Sequence, residues 1–482
     1  MKKAHFIGIC GVGMSATAKL LQNLGWKISG SDDHFYPPAS HYLKKHGLAF
    51  TKGYQKENIP KDAELIVIGK NTKLIPEENK EVEAALESGI TVRSFPEVLG
   101  NLSESKENIV VAGSYGKSTC TALLAWCLLH AGKDPSYFLG AIPIDDTMDT
   151  ARLAEGKTFV IEGDEYPSSN WDATSKFLHY HPHDVLLTSA AHDHVNVFPT
   201  HEEYLVPFKT LLSLLPEDGL LAASADDRSA LNLAHAHTGK VVLYGLNEKT
   251  LDQKSYDISY DFWSGEDVAR KNNTTFTLTK NKHPIVSLET ELLGKHNIQN
   301  IVGVSAILLE KQLVTPEELR EGVRTFRGIH RRLDKKTEKS SVLVYEGFGS
   351  SYEKQRAAIE ALKLHYPDKK LVTIFEPHTF SWRNRGALPW YDHVFEGSNL
   401  VLIYEPALQG AKTHAQLSQE EIVARTSASG TEALPIRSAD EALAILDSRL
   451  GKNDVILLST SGDLGGLIEA VPRFVEKKFP IV

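Results

Sequence analysis

Lys117 and the hydroxyls of Ser118 and Thr119 follow Gly113-Ser114-Tyr115-Gly116, a glycine loop that ends a run of β-formers, Ile109-Val110-Val111. An apolar helical stretch from Thr121 to His130 comes next. Strand, glycine loop, Lys-Ser/Thr and helix together make a cradle for polyphosphate. Backbone N–H groups and the positive helix end face the anion, the lysine adds a point charge, and a hydroxyl reaches Mg²⁺. Only Ser114 and Tyr115 separate the two glycines, so the loop is shorter than the common G-x-x-x-x-G-K-[ST] pattern. The competing reading is a tight strand-to-helix turn with an incidental lysine.

Hard oxygen ligands stand further along. Thr158–Ile161 reads as a strand delivering Glu162-Gly163-Asp164-Glu165-Tyr166, and a carboxylate at a strand end beside such a loop is placed to hold Mg²⁺. Val185–Thr188 leads in the same way to Ala191-His192-Asp193-His194. His179, His181 and His183 alternate toward that strand, but Pro182 interrupts them and no cysteine joins them, which argues against zinc. Gly294-Lys295-His296-Asn297-Ile298-Gln299-Asn300 opens a helix with amide and imidazole groups suited to an adenine edge. Arg327 to Asp334 forms a basic knot whose arginines suit phosphate in fork geometry.

A second glycine turn opens the chain. The strand His5–Ile9 runs into Gly11-Val12-Gly13-Met14-Ser15-Ala16, and a second strand, Lys27–Gly30, ends at Ser31-Asp32. G-x-G-x-x-A after a first strand, with a carboxylate closing the second, is a dinucleotide-type fingerprint that serves NAD and a UDP-sugar equally well. Two phosphate-type turns imply two phosphorylated ligands, more than a simple dehydrogenase requires.

The elements that must position these groups fall into three α/β blocks. Residues 1–105 read as a Rossmann-like domain, with a third strand at Glu64–Ile68. Residues 106–326 read as a P-loop ATPase-like central domain, its polar stretch 246–285 being antiparallel β or loop. Residues 327–482 read as a second Rossmann-like domain. There, strands at Leu371–Phe375, Leu400–Tyr404 and Val455–Thr460 alternate with helical stretches such as Glu353–Tyr366, and Ser461–Gly466 closes with another glycine turn. The 482 residues suffice for several cores. A net charge of −9 with no basic run excludes an electrostatic grip on nucleic acid. No apolar run is long enough for membrane insertion, and glycines break the N-terminal apolar region before any signal-peptide pattern forms. Cys10, Cys120 and Cys127 show no zinc spacing and read as buried reduced thiols.

Taken in order, these motifs resemble the Mur ligase family of ATP-dependent peptidoglycan amide ligases over essentially the whole chain. The short Gly-x-x-Gly-Lys-[Ser/Thr]-Thr loop is similar to the family's own variant. Four stretches resemble the branch that joins UDP-N-acetylmuramate to the murein tripeptide L-alanyl-γ-D-glutamyl-meso-diaminopimelate. They are Gly30-Ser31-Asp32 with Tyr36-Pro37-Pro38, Glu162 to Tyr166, Asp172 with Ser175-Lys176-Phe177 and His179-Tyr180, and Phe375-Glu376-Pro377. Phe375-Glu376-Pro377-His378 also matches the branch that takes free L-alanine.

The resemblance implies ATP and Mg²⁺ as cofactors and a bacterial cytoplasmic enzyme with no obligate protein partner. Gly113, Gly116, Lys117 and Thr119 would form the ATP cradle, and Ser118, Glu162 and His194 would hold Mg²⁺, with Lys117, Glu162 and His194 as the catalytic group. His296, Asn297 and Asn300 would meet adenine, Arg332 the phosphates, and Gly11, Gly13, Asp32 and His378 the substrates. The lactyl carboxylate would become an acyl phosphate, then meet the L-alanyl amine. Three positions depart from the family pattern. Glu346-Gly347-Phe348-Gly349-Ser350-Ser351 replaces an acidic and His-His segment, Ala191 replaces a glutamate, and Lys209 is a surface lysine rather than a carbamylated one. An altered UDP-sugar-binding homologue, or an oxidoreductase using NAD in the first block, are the alternatives from other classes.

Overall fold

Parallel sheets interleaved with helices recur three times along the chain. The computed structural model describes residues 1–33, 39–193, 197–246, 261–270, 273–405 and 415–481. They belong to two compact units, one of residues 1–268, 276–289 and 299–326, the other of 269–275, 290–298 and 327–482.

The first unit contains two sheets. The N-terminal sheet has five parallel strands in the order Thr51–Lys52, Lys27–Asp32, Lys3–Ile7, Leu65–Ile68, Thr91–Arg93. Its central strands are apolar on both faces (Phe6, Ile7, Ile66, Val67 and Ile68 are all buried), as a sheet covered by helices on both sides demands. A buried polar strut braces the strand that carries Asp32. His5 Nε2 lies 2.7 Å from Glu81 Oε1 and His5 Nδ1 lies 2.8 Å from Ser29 Oγ. Glu81 also accepts hydrogen bonds from Ser31 Oγ at 2.7 Å, Gln55 N at 2.8 Å and Asn58 Nδ2 at 2.8 Å. Every carboxylate oxygen is thereby satisfied, which a buried charge requires.

The second sheet has ten strands, and the strand Glu107–Ala112 that feeds the glycine loop lies inside it. Its parallel neighbours are Asp184–Leu187 and Thr158–Gly163, with Val111 in register with Glu162 and Ala112 with Leu187. The second neighbour runs two residues beyond the expected end, so Glu162 sits on the strand rather than after it. The helix Lys117–His130 is buried over Thr119–Leu128, which explains a sequence apolar on every side. Cys120 and Cys127 are buried there, but Cys10 is a correction. It is half-buried at the first glycine turn, where partial burial and the Asp32 carboxylate push its thiol up to about 12. In the stretch expected as antiparallel strand or loop, Asp261–Arg270, Thr274–Lys280 and His283–Thr290 continue the same sheet; residues 247–260 and 271–272 lie outside the described residues.

The second unit is built on six strands in the order Arg332–Lys335, Leu343–Gly347, Val455–Ser459, Leu371–Phe375, Leu400–Tyr404, Ala433–Ile436. The first pair is antiparallel and the others are parallel. The helix expected at Glu353–Tyr366 spans Tyr352–His365, capped by Ser351. Among the described residues no helix is long and apolar enough to cross a membrane.

Candidate functional site

The glycine loop is held by the residues that follow the neighbouring strand Asp184–Leu187. Ser114 N donates to Ser189 O at 3.2 Å and Tyr115 N donates to Ser189 Oγ at 3.0 Å. Gly113 has φ +137° and Gly116 has φ +84°, conformations that favour glycine. A Cβ on Gly113 would stand 2.3 Å from Thr188 Oγ1 and 2.7 Å from Ser189 N, and one on Gly116 would stand 2.6 Å from Asn300 Oδ1. Both glycines are therefore packed against neighbouring protein, which fixes the path of the loop at the start of the helix. Gly113→Ala is expected to weaken a nonhydrolysable ATP analogue by at least about tenfold, since strain and clash of roughly 1–3 kcal/mol fall on the loop itself; isothermal calorimetry checks it.

Lys117 and Ser118 open the helix behind that loop and face two carboxylates. Lys117 Nζ donates to Glu165 Oε2 at 2.7 Å and also to Gly113 O. Burial works against the Lys117 ammonium, but the Glu165, Asp164 and Glu162 carboxylates outweigh it and hold its pKa above the usual lysine value. Ser118 Oγ donates to Glu162 Oε1 at 2.8 Å, and Gly140 N donates to Glu162 Oε2 at 2.7 Å. Burial raises the Glu162 pKa in spite of those donors and Lys117. A hydroxyl and a carboxylate 2.8 Å apart beside a cationic glycine loop are a donor set that fits Mg²⁺ bound to nucleotide phosphate. The fit holds on two observations, the Cβ-intolerant loop and this oxygen pair. His194, expected as a third ligand, lies outside the described residues, as do Tyr36, Pro37 and Pro38.

From Glu162 a cleft of about 660 Å³ runs to the first glycine turn. Gly8, Gly11, Gly13 and Asp32 line one end, and Gly140, Glu162 and Asp164 the other. Gly13 is packed against Phe95, whose ring a Cβ would meet at 2.8 Å. The Asp32 carboxylate accepts from Cys10 N at 2.9 Å and Tyr54 Oη at 3.3 Å, so it also braces the turn. Lys70, Lys73 and Lys176 add positive charge to the walls. Lys176 Nζ pairs with Asp164 at 2.5 Å. Burial pushes the Asp164 pKa up, yet Lys176 and Lys117 outweigh it and hold that carboxyl low. Burial and the nearby Lys176 charge push Lys70 down. Sequence reasoning missed Lys70, Lys73, Gly140 and the partner role of Glu165, and quoted Lys176 only within a stretch that carries the resemblance. Lysines on separate loops carry no motif, and only Glu165's place in Glu162-Gly163-Asp164-Glu165 hinted at its use.

The remaining expected residues divide between the units. Asn300 lies against Gly116 in the first. In the second, Asn297 Nδ2 donates to Leu293 O at 2.8 Å, bracing the helix start. Burial pushes half-buried His296 down to about 4, leaving a neutral imidazole able to accept a hydrogen bond. The Arg332 guanidinium stacks 4.4 Å above the Phe348 ring. Glu346, in the segment that departs from the family pattern, is buried and paired with Arg331 at 3.3 Å and Lys336 at 3.1 Å. His378 Nδ1 lies 3.3 Å from Glu376 Oε1. Lys209 is exposed, as expected. The histidines weighed for zinc have other partners: His179 Nε2 is 3.0 Å from Asp172 and His183 Nδ1 is 3.1 Å from Asp184.

Comparison with known proteins meets this geometry from outside. Residues 3–107 match the family model described as Mur ligase family, catalytic domain, and residues 111–308 match that of the Mur ligase middle domain. UDP-N-acetylmuramate–L-alanine ligase of Caldanaerobacter subterraneus subsp. tengcongensis is 29% identical over 481 residues, 99% of this chain and 98% of that protein. Among solved structures, UDP-N-acetylmuramate–alanine ligase of Thermotoga maritima has a TM-score of 0.77 at 23% identity, covering 99% of each chain. Murein peptide ligase of Psychrobacter arcticus has a TM-score of 0.70 at 22% identity, covering both chains fully. At those identities the two structures speak for the three-domain α/β fold. The family match of residues 3–107 leaves the nicotinamide reading of the first block without support. With two domain models of one family matched in order around that site, the chain belongs to the Mur ligase family, ATP- and Mg²⁺-dependent enzymes that join a carboxylate to an amine.

Proposed function

We propose that this enzyme joins the lactyl carboxylate of UDP-N-acetylmuramate to the amine of L-alanine in the bacterial cytoplasm. The observation that carries the substrate is the single cleft from Gly11 and Gly13 to Glu162. Its volume, about 660 Å³, suits a nucleotide-linked sugar. Glycine backbone at one end matches a pyrophosphate, and lysines along the walls match its charge. The far end brings the sugar's carboxylate to the residues around Glu162. Lys117 and the loop amides would hold the ATP phosphates, and Ser118 and Glu162 the Mg²⁺. Bound ATP supplies the phosphoryl group that activates the carboxylate, while the protein supplies alignment, charge and exclusion of water, so no nucleophilic side chain is needed. Free L-alanine as acceptor is supported by relatives that bear that activity in their names over nearly the whole length of this chain.

One observation favours a second acceptor, the murein tripeptide. The segment Asp172–Tyr180, which resembles the tripeptide branch, is ordered by the Asp172–His179 contact and presents Lys176 to the cleft. Phosphate release with ATP, Mg²⁺ and UDP-N-acetylmuramate separates the two. L-alanine is expected to give the higher kcat/KM by at least about tenfold. Preference for the tripeptide reverses the assignment, and silence with both sinks the substrate reading.

A further inference from the structure

Behind the glycine loop lies a buried polar chain to which none of the steps above gives a task. Glu165 and Tyr204 are both fully buried. The Glu165 carboxylate accepts from Lys117 Nζ at 2.7 Å through one oxygen and from Tyr204 Oη at 3.3 Å through the other. Tyr204, on the helix His201–Ser213, also lies 2.8 Å from Ser114 Oγ. Ser114 Oγ in turn stands 2.5 Å from Ala191 O. Ser114 Oγ donates its proton to Ala191 O, so the Tyr204 proton is shared between Ser114 Oγ and Glu165 Oε1. Two residues of one loop, Ser114 and Lys117, are therefore gripped by a carboxylate that follows one strand and a phenol from a distant helix.

We propose that Glu165 and Tyr204 are positioning residues for ATP, holding Ser114 and Lys117 so that the shortened loop meets the triphosphate already shaped. A loop with only two residues between its glycines has little backbone of its own to define that shape. Lysine has a long flexible stem, and freezing it before the nucleotide arrives removes an ordering cost from binding and from phosphoryl transfer. A buried network is a suitable device because its members are satisfied only in one arrangement. The inference rests on the ATP cradle and holds for either acceptor, so a change of acceptor would leave it standing.

Tyr204→Phe removes one hydroxyl from a packed ring, and Glu165→Gln keeps the shape while removing the charge. Tyr204→Phe is expected to weaken a nonhydrolysable ATP analogue about fivefold to tenfold by calorimetry and to lower kcat about tenfold. Glu165→Gln is expected to lower kcat about 100-fold, and the double variant to lose less than the product of the two losses, because one Tyr204 proton serves both Ser114 and Glu165. UDP-N-acetylmuramate affinity, measured on the same proteins without ATP, stays at the wild-type value. The proposal is overturned if Tyr204→Phe keeps wild-type kcat and analogue affinity, or if the two losses multiply in the double variant. It is overturned equally if UDP-sugar affinity falls in step with melting temperature, which is the mark of a merely structural role. Should Glu165→Gln fail to fold, Tyr204→Phe decides alone by its analogue affinity, kcat and UDP-sugar affinity.

Discussion

Lys117→Ala is expected to lower turnover by at least about 10³-fold while leaving UDP-N-acetylmuramate affinity within about twofold of wild type. The lysine is the cation that the loop sets against the phosphates, and the UDP-sugar cleft does not depend on it. A second effect follows from the ion pair. Lys117 is nearly buried and Glu165 wholly so, and removing one partner of such a pair leaves the other charge stranded, destabilising the fold by about 3–5 kcal/mol. Lys117→Ala is thus expected to unfold earlier in urea, and Lys117→Ala/Glu165→Gln to regain most of that stability without any activity. Normal turnover in Lys117→Ala would falsify the cradle, while unchanged stability would show that the buried pair contributes nothing.

Glu162→Gln is expected to act in the opposite sense on stability. Turnover falls about 10²- to 10³-fold, because an amide oxygen replaces the carboxylate beside Ser118 as a Mg²⁺ ligand. The ligand-free protein, however, becomes more stable at neutral pH. The sign follows from linkage: burial raises the Glu162 pKa above its ordinary value. Its contribution to stability is therefore present below that ordinary value and is lost as pH rises through the raised one. The amide removes the charge, and Ser118 Oγ, able to accept as well as donate, can still satisfy it. Thermal unfolding with and without Mg²⁺-nucleotide measures both halves. A variant that keeps full Mg²⁺-dependent turnover, or one less stable than wild type at neutral pH, would contradict this account.

These opposite expectations come from residues that the sequence presents very differently. Strand, glycine turn, Lys-Ser/Thr and helix are local: adjacent residues must meet the same phosphates, so the loop, its strand and its helix were readable in order. The strands Leu371–Phe375 and Leu400–Tyr404 were readable for a similar reason, since short apolar runs bounded by turns are how a covered parallel sheet is written. Glu162 was readable because it ends such a run. The strands Thr274–Lys280 and His283–Thr290 were harder, since they mix polar with apolar residues and resemble loop.

Taken alone, the order of residues determined the three α/β blocks, the two phosphate-type turns and the family they resemble. Tertiary structure alone decided which groups meet across long separations: Lys117 with Glu165, Ser114 with Tyr204, Glu162 with Gly140, and His5 with Glu81. It also set Lys70, Lys73 and Lys176 around one cleft and engaged the divergent Glu346 with Arg331 and Lys336. The reason is physical. A backbone turn is specified by its own few residues, whereas a buried charge accepts whichever partner the packed elements bring to it, and no spacing along the chain records that choice.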